Sequence, residues 1–117
     1  DISLAQKWIE RGYLIQIDCA SILGGFGKET QKAALNLLKK GLCHLIGSDA
    51  HNNKRRNFLL KNTLDKISEI FNEDVALIIK ENSQKILLGK DCLRYSVKSP
   101  KTTFLTKICS IFKKINE

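Results

Sequence analysis

This sequence of 117 residues lacks long apolar runs and closely spaced cysteines, and it contains only two histidines. No apolar stretch reaches the roughly 18–20 residues that a membrane-spanning helix needs, and no basic stretch followed by an apolar one marks a secretory signal. The four cysteines, none in a C-x-x-C pair, are Cys19, Cys43, Cys92 and Cys109. We therefore expect reduced thiols in a cytoplasmic protein. Because the chain begins at Asp1 rather than at methionine, we also expect that its start has been cut.

Aromatic residues are also few, at 7% of the chain with one Trp, and the sequence has no recognisable nucleic-acid-binding motif. The net charge of +8 is unevenly placed, because residues 90–117 hold seven Lys and Arg against two acids. Positive charge spread evenly over one face of a protein would favour binding to nucleic acid. Positive charge concentrated at one end of the chain favours binding to an anionic surface or partner, or contributes only to solubility. We therefore predict no nucleic-acid partner.

Helical and strand patterns alternate along the first part of the chain. Apolar residues at helical spacing predict helices over residues 2–11, 28–40 and 57–71, and short β-prone runs predict strands over 13–18 and 42–48. Strands that alternate with helices pair in parallel, so the fold class is α/β. Two strands bury too little to stand alone, so we expect the remaining strands to come from residues absent at the N-terminus or from another chain.

The last third of the chain changes in composition. Residues 74–89 predict two short helical pieces, with Asn82 and Ser83 as the break and N-cap of the second. Residues beyond Asp91 are polar, contain the only proline and predict a linker, which is followed by apolar residues at helical spacing over 102–117. We therefore divide the chain into a domain at residues 1–90 and a basic linker with an amphipathic tail at 91–117.

Two potential metal ligands, Asp49 and His51, follow the second predicted strand. Catalytic loops of parallel α/β proteins lie at this end of the strands, and side chains two residues apart in extended backbone point the same way. A carboxylate and an imidazole suit manganese, iron or zinc better than calcium. From the D-x-H spacing alone, however, a turn-capping Asp49 and a solvated His51 are the more common interpretation.

Three consecutive cations, Lys54, Arg55 and Arg56, follow this pair. A metal-activated hydroxide requires an anionic substrate held in line, and a guanidinium binds two phosphate oxygens at once. The cluster therefore favours phosphate-ester chemistry, although a solvated run of charge explains it equally well without further context.

The cysteines, His44 and Asp18 give weaker evidence for a catalytic site. A cysteine-dependent phosphatase requires an Arg six residues after the thiolate, and that position holds Gly25 after Cys19 and Asp49 after Cys43. We therefore interpret the thiols as packing residues.

His44 lies within the second predicted strand and is interpreted as a buried, hydrogen-bonded histidine. Asp18 at the end of the first strand either supports the site indirectly or caps a turn.

Three segments, YLIQIDCASILGGFG, HLIGSDAHNNKRRNF and IIKENSQKILLGK, together resemble one family. They resemble the C-terminal half of the metal-dependent protein-tyrosine phosphatases of bacterial capsule and exopolysaccharide operons, which are members of the polymerase and histidinol phosphatase (PHP) superfamily. The resemblance covers about residues 1–90. Its most specific part is S-D-A-H-N followed by Arg-x-Phe.

The resemblance implies a fold and a site. The fold would be the C-terminal part of a distorted, TIM-like (βα) barrel, with two or three parallel strands and flanking helices. An intact domain would bind up to three divalent ions, usually manganese. Asp49 and His51 match two metal ligands of the family, and Arg56 matches the arginine that contacts the substrate phosphate. Gln16 and the loop of residues 21–27 match a recurring motif to which we assign no catalytic role.

The implied reaction is hydrolysis of a phosphotyrosine ester by a metal-bridging hydroxide, without a phosphoenzyme, on a protein such as a bacterial tyrosine autokinase. The family's other ligands, including an H-x-H pair, have no match here, so we expect the chain to be inactive without the missing N-terminal half. The alternative hypothesis is a non-catalytic interaction module that binds through its basic C-terminal tail. Separately from the resemblance, the basic and apolar residues 100–117 predict weak contact with a membrane surface.

Overall fold

The computed structural model describes residues 1–48 and 53–97, and of residues 53–57 it describes only the helical backbone. Seven elements follow one another in these ranges: α1 (Ile2–Glu10), β1 (Gln16–Asp18), α2 (Cys19–Leu23), α3 (Lys28–Lys39), β2 (Leu45–Gly47), α4 (Asn53–Ile70) and α5 (Glu73–Leu87). The order confirms the α/β fold class. Within the described ranges, no helix is both long and apolar enough to cross a membrane.

The two strands form a parallel pair in which Ile17 is the partner of Ile46. These two side chains are buried on one face, while Gln16 and Asp18 lie on the other face of β1. Both strands are shorter than predicted, because the apolar runs extend past the paired residues. A two-stranded sheet in the described part of the chain does not by itself form a barrel, so the barrel stays a prediction.

The core lies between the buried face of the sheet and helices α2 to α5. Its fully or almost fully buried apolar residues are Ile17, Cys19, Ile22, Ala34, Leu38, Cys43, Ile46, Ile67, Val75 and Ile79. The helical spacing in the sequence predicts this packing for α3, where Ala34 and Leu38 face inward, and for α4, where Ile67 does. On α1 it does so only in part, because Ala5 is buried as the spacing allows, whereas Trp8 is 45% exposed.

Helix α5 runs without interruption from Glu73 to Leu87, so the predicted break at Asn82 and Ser83 is wrong. The helix is capped instead by Asn72, whose side chain accepts a hydrogen bond from the Val75 amide at 3.0 Å. Asn82 is fully buried in the middle of the helix. Its polarity serves a tertiary contact rather than a helix end.

Asn82 holds the segment that follows α5 against the body of the protein. Its side-chain nitrogen donates to the Leu93 carbonyl at 2.9 Å and to the His44 carbonyl at 3.0 Å, and its oxygen accepts from the Leu93 amide at 2.6 Å. Further along, Tyr95 and Val97 pack against the core. The packed part of the chain therefore reaches residue 97, within the range that the composition predicts to be a linker.

A glycine makes room for this segment. Gly41 follows α3 with a φ of +71°, and a Cβ at this position would collide with the backbone carbonyl of Tyr95. A backbone atom cannot rotate away as the end of a long side chain can. Gly41 is therefore required both for its left-handed conformation and for the close approach of residues 95 and 96.

Gly41→Ala is expected to lower the free energy of unfolding by about 1–3 kcal/mol more than Gly12→Ala does. Gly12 has a similar φ of +88°, but a Cβ added there would meet no other atom within 4 Å, so it reports the conformational cost alone. Urea unfolding of the two variants measures the difference. Equal losses of stability would show that Tyr95 does not pack closely on Gly41.

Candidate functional site

The carboxyl ends of β1 and β2 lie at the same edge of the sheet because the strands are parallel. At the end of β1, the Asp18 side chain accepts a hydrogen bond from the Ala20 amide at 2.7 Å and caps α2. Of the two interpretations of Asp18 from the sequence, the structure thus supports the cap. The sequence does not predict helix α2, since its five residues are too few to show a helical period.

At the end of β2, the described chain reaches Ser48 and resumes with α4 at Asn53. Asp49 and His51, the predicted metal ligands, lie in the connection between these points and outside the described residues. Arg56 is the fourth residue of α4, and its side chain also lies outside the described part. Their chemical roles therefore stay predictions, while the elements on both sides of them are defined.

A cavity of about 520 Å³ lies beside this edge of the sheet. Gln16 and Asp18 of β1 and Gly47 and Ser48 of β2 line one side, and residues of α4 and α5, including Leu60, line the other. The Gln16 amide lies so close to Gly47 that a side chain on residue 47 would displace it. Gly47 therefore lets the polar Gln16 side chain cross the neighbouring strand toward the cavity.

His44 precedes β2 and fixes its register against β1. Its Nδ1 accepts a hydrogen bond from the Ile15 amide at 3.0 Å, while its own amide donates to the Ile15 carbonyl at 2.9 Å. The residue is 4% exposed, which confirms the prediction of a buried, hydrogen-bonded histidine. Burial, with a smaller effect of the nearby Arg94 charge, lowers the pKa of His44. The neutral ring is thus the form that holds the two strands in place.

Stability is expected to fall as the pH drops below the ordinary histidine pKa of about 6.5. Because the pKa of His44 is lower in the folded chain, the unfolded state binds more protons between the folded value and 6.5, so acid favours unfolding. Urea unfolding from pH 8 to pH 5 measures this slope. His51→Asn is included in every protein compared, so that the other histidine does not titrate.

The control for this slope is His44→Gln, which removes the titrating ring. The free energy of unfolding of that variant should depend less on pH over the same range. An identical pH dependence in both proteins would contradict the role assigned to His44.

The described cysteines are free thiols, as predicted. Burial raises the pKa of the Cys43 thiol to about 12 and also raises the pKa of Cys19. The Cys43 sulfur donates a hydrogen bond to the Leu45 carbonyl at 3.1 Å. Both groups are thus protonated packing residues near neutral pH and are not nucleophiles.

A divalent ion requires more donors than the described residues offer. Among residues 1–48 and the described side chains from 58 to 97, no three His, Cys, Asp or Glu side chains are grouped in a way that would hold a metal. Asp49 and His51 supply donors of the correct chemistry for a borderline ion, but two ligands leave most of its coordination sphere open. Together with the described residues, Asp49 and His51 would therefore hold part of a metal site and not a whole one.

Known proteins match most of this chain. Residues 1–88 match the family described as capsular polysaccharide synthesis, CpsB/CapC. The chain is 33% identical over 92 residues to the tyrosine-protein phosphatase YwqE of Bacillus subtilis strain 168, covering 79% of this chain and 36% of YwqE. It is also 33% identical over 91 residues to the putative tyrosine-protein phosphatase CapC of Staphylococcus aureus, covering 77% of this chain and 35% of CapC.

A solved structure agrees with these matches. It comes from crystal structures of YwqE from Bacillus subtilis and CpsB from Streptococcus pneumoniae, described as unique metal-dependent tyrosine phosphatases, and superimposes with a TM-score of 0.72 at 30% identity. The match covers 87% of this chain and 41% of that chain. The α/β fold is therefore that of a segment of the metal-dependent tyrosine phosphatases.

The chain belongs to the CpsB/CapC family of capsular polysaccharide synthesis. It spans just over a third of the length of the curated relatives that it matches.

Proposed function

We propose that this chain is the C-terminal half of a protein-tyrosine phosphatase that acts in capsular or exopolysaccharide synthesis. One observation carries the proposal. Residues 49–52, which include Asp49 and His51, join the carboxyl end of β2 to α4, whose fourth residue is Arg56. This is the edge of a parallel sheet at which α/β enzymes place their catalytic groups.

Each of the three residues has a distinct role in the proposed reaction. Asp49 and His51 would donate an oxygen and a nitrogen to a divalent ion, manganese in our proposal, in an intact site that holds up to three ions. When bound, the ions supply Lewis acidity toward the phosphoryl oxygens. Arg56 binds the phosphate through its guanidinium and offsets the negative charge that develops on it in the transition state.

We further propose that the N-terminal half of the barrel packs against the strands of this chain. In the described part of the chain, β1 and β2 pair only with each other, so each has an outer edge for another strand. Large apolar side chains also stand exposed before β1, with Tyr13 at 62%, Leu14 at 47% and Trp8 at 45%. These features support a further part of the domain packing here, and the chain alone should be inactive.

The names of the relatives support the proposed substrate class. YwqE is a tyrosine-protein phosphatase, and we propose a phosphotyrosine protein, specifically a bacterial tyrosine autokinase, as the substrate of the intact domain, which we propose acts in the cytoplasm. The proposed metal-dependent hydrolysis uses metal ligands and a cation that binds the phosphate, and the 49–56 segment of this chain contains side chains of both kinds.

A chimera with YwqE tests the proposal. In this chimera, residues 1–88 of the chain replace the segment of YwqE that they match, so the rest of YwqE supplies the missing half. We expect manganese-dependent release of phosphate from a phosphotyrosine peptide by the chimera, and none by the chain alone. A chimera that folds, as judged by circular dichroism and gel filtration, but releases no phosphate with any divalent metal would overturn the proposal.

A further inference from the structure

A second, larger concavity lies away from the sheet, in the groove between α4 and α5. It has a volume of about 710 Å³. Its walls include the apolar side chains of Leu64, Ala76 and Leu77, and Leu77 is 53% exposed. The two helices form a hairpin with a two-residue connection, so the groove runs along the hairpin from its turn. None of the groove residues belongs to the candidate catalytic site.

Charge is distributed unevenly along this groove. Asp65, Glu73 and Asp74 line it, with Glu73 and Asp74 in the first turn of α5 beside the hairpin turn. Lys61 and Lys80 lie toward the other end, since Lys80 is about two helical turns beyond Glu73. The end near the hairpin turn is therefore acidic, with an apolar floor beside it. This combination suits a segment that carries both lysines and apolar residues.

The described chain ends next to this acidic end. Tyr95 and Ser96 line a smaller cavity of about 280 Å³ together with Asp74 and Val75 of α5. Asp74 lines both cavities, so residue 96 and the acidic end of the groove both lie close to Asp74. Whatever follows residue 97 in the sequence starts within reach of the groove.

The following residues, 98–117, have the complementary composition. They contain five lysines and one acid, and their apolar residues recur at helical spacing: Phe104, Ile108, Ile111, Phe112 and Ile115. Residues 98–103 can span up to about 20 Å when extended, which exceeds the length of about two helical turns of groove. Length, charge and apolar pattern thus all permit this segment to occupy the groove.

We propose that residues 104–117 pack as an amphipathic helix in the α4–α5 groove, with apolar side chains against Leu64 and Leu77 and lysines beside Asp65, Glu73 and Asp74. Covalent attachment at residue 97 gives the segment a local concentration on the order of millimolar, so a contact that is weak between separate molecules is populated within one chain. This assignment does not depend on the catalytic proposal.

Zero-length cross-linking tests the contact in the full chain. A carbodiimide joins a lysine directly to a carboxylate that touches it, and mass spectrometry of the monomeric fraction identifies the pair. We expect links from Lys107, Lys113 or Lys114 to Asp65, Glu73 or Asp74. Glu29, exposed in the first turn of α3, is the control carboxylate and should show no more than background linkage.

A matched pair of variants gives the second measurement. Leu77→Lys removes an apolar contact and places a positive charge where it would repel the lysines of the tail. The yield of cross-links between the tail and the groove should therefore fall about tenfold or more. Leu87→Lys makes the same change at an exposed site of α5 outside the groove and should leave them unchanged. Equal cross-linking in both variants, or no excess over Glu29 in the original chain, would overturn the proposal.

Two other occupants give distinguishable results. Links found only in a cross-linked dimer would show that the tail binds a second copy of the chain, and would contradict docking within one chain. The membrane alternative is tested by sedimentation with vesicles of phosphatidylcholine and phosphatidylserine. Docking predicts that Leu77→Lys, by releasing the tail, increases the fraction bound to vesicles. The same fraction bound in both Leu77→Lys and the original chain, together with no cross-links, would place the tail on lipid instead and contradict docking.

Discussion

Replacing Asn82 by Ala is expected to lower the free energy of unfolding by about 3–5 kcal/mol. The Asn82 side chain makes three hydrogen bonds to backbone groups, two of them to Leu93 and one to the His44 carbonyl. Alanine leaves the Leu93 amide and both carbonyls without this partner, and it leaves a cavity where a fully buried side chain stood. Urea unfolding followed by circular dichroism measures the loss.

Asn36→Ala is the matched control for this substitution. Asn36 is exposed on α3, and alanine there is expected to change stability by less than about 0.5 kcal/mol because it favours the helix and leaves no group unpaired. In Asn82→Ala, limited proteolysis should also cut first within residues 91–97, which Asn82 ties to α5. A loss of stability no larger than that of Asn36→Ala would contradict the account of this network.

Replacing Arg56 by Ala in the YwqE chimera is expected to lower kcat/KM for a phosphotyrosine peptide by about 10²–10³-fold. The guanidinium is proposed to bind phosphate oxygens and to stabilise the charge that develops on them, and alanine removes both interactions. Arg56→Lys retains the charge but not the two parallel hydrogen bonds, so it should restore only part of the activity. Initial rates over a range of peptide concentrations separate kcat from KM.

Arg55→Ala is the control for the loss of one positive charge in the same helix turn. If Arg55 contributes only a general attraction between the basic cluster and an anionic substrate, Arg55→Ala should lower kcat/KM only slightly. Because salt screens such an attraction, this loss should disappear at high ionic strength. The loss in Arg56→Ala should persist. Equal losses in both variants, both removed by salt, would show a solvated charge run rather than a phosphate-binding arginine.

The elements that the sequence predicts best are those with a clear period. The spacing of the apolar residues in α3 predicts a buried face that contains Ala34 and Leu38, although Ala33 of the same predicted stripe is exposed. The short apolar runs around Ile17 and Ile46 predict two strands. Their alternation with helices predicts the parallel pairing that the structure contains. Local patterns suffice here because each element buries one face that its own sequence defines.

Features that depend on distant contacts could not be predicted in this way. A polar Asn82 within a helical run suggests a helix end by local rules, and only its contacts with Leu93 and His44 explain why it is buried. Helix α2 is too short to show a helical period. Its two ends do carry residue types that commonly cap helices, namely Asp18 as the N-cap and Gly24 as the left-handed C-cap. The position of Gly41 against Tyr95 likewise requires the tertiary fold.

For the candidate site, the sequence predicts the position in the fold and the resemblance predicts the roles. The strand that precedes Asp49 and the helix that contains Arg56 are both present. The other metal ligands expected of the family could not be predicted, since this sequence offers no match for them.

Metal content of the chimera tests the central claim most directly. After equilibrium dialysis against manganese, the bound ions per chain are measured by mass spectrometry in the unchanged chimera and in one carrying Asp49→Ala and His51→Ala. Loss of an oxygen and a nitrogen donor should lower the content by at least one ion per chain while the circular dichroism spectrum stays the same. Equal manganese content in the two folded proteins would contradict the assignment of Asp49 and His51 as metal ligands.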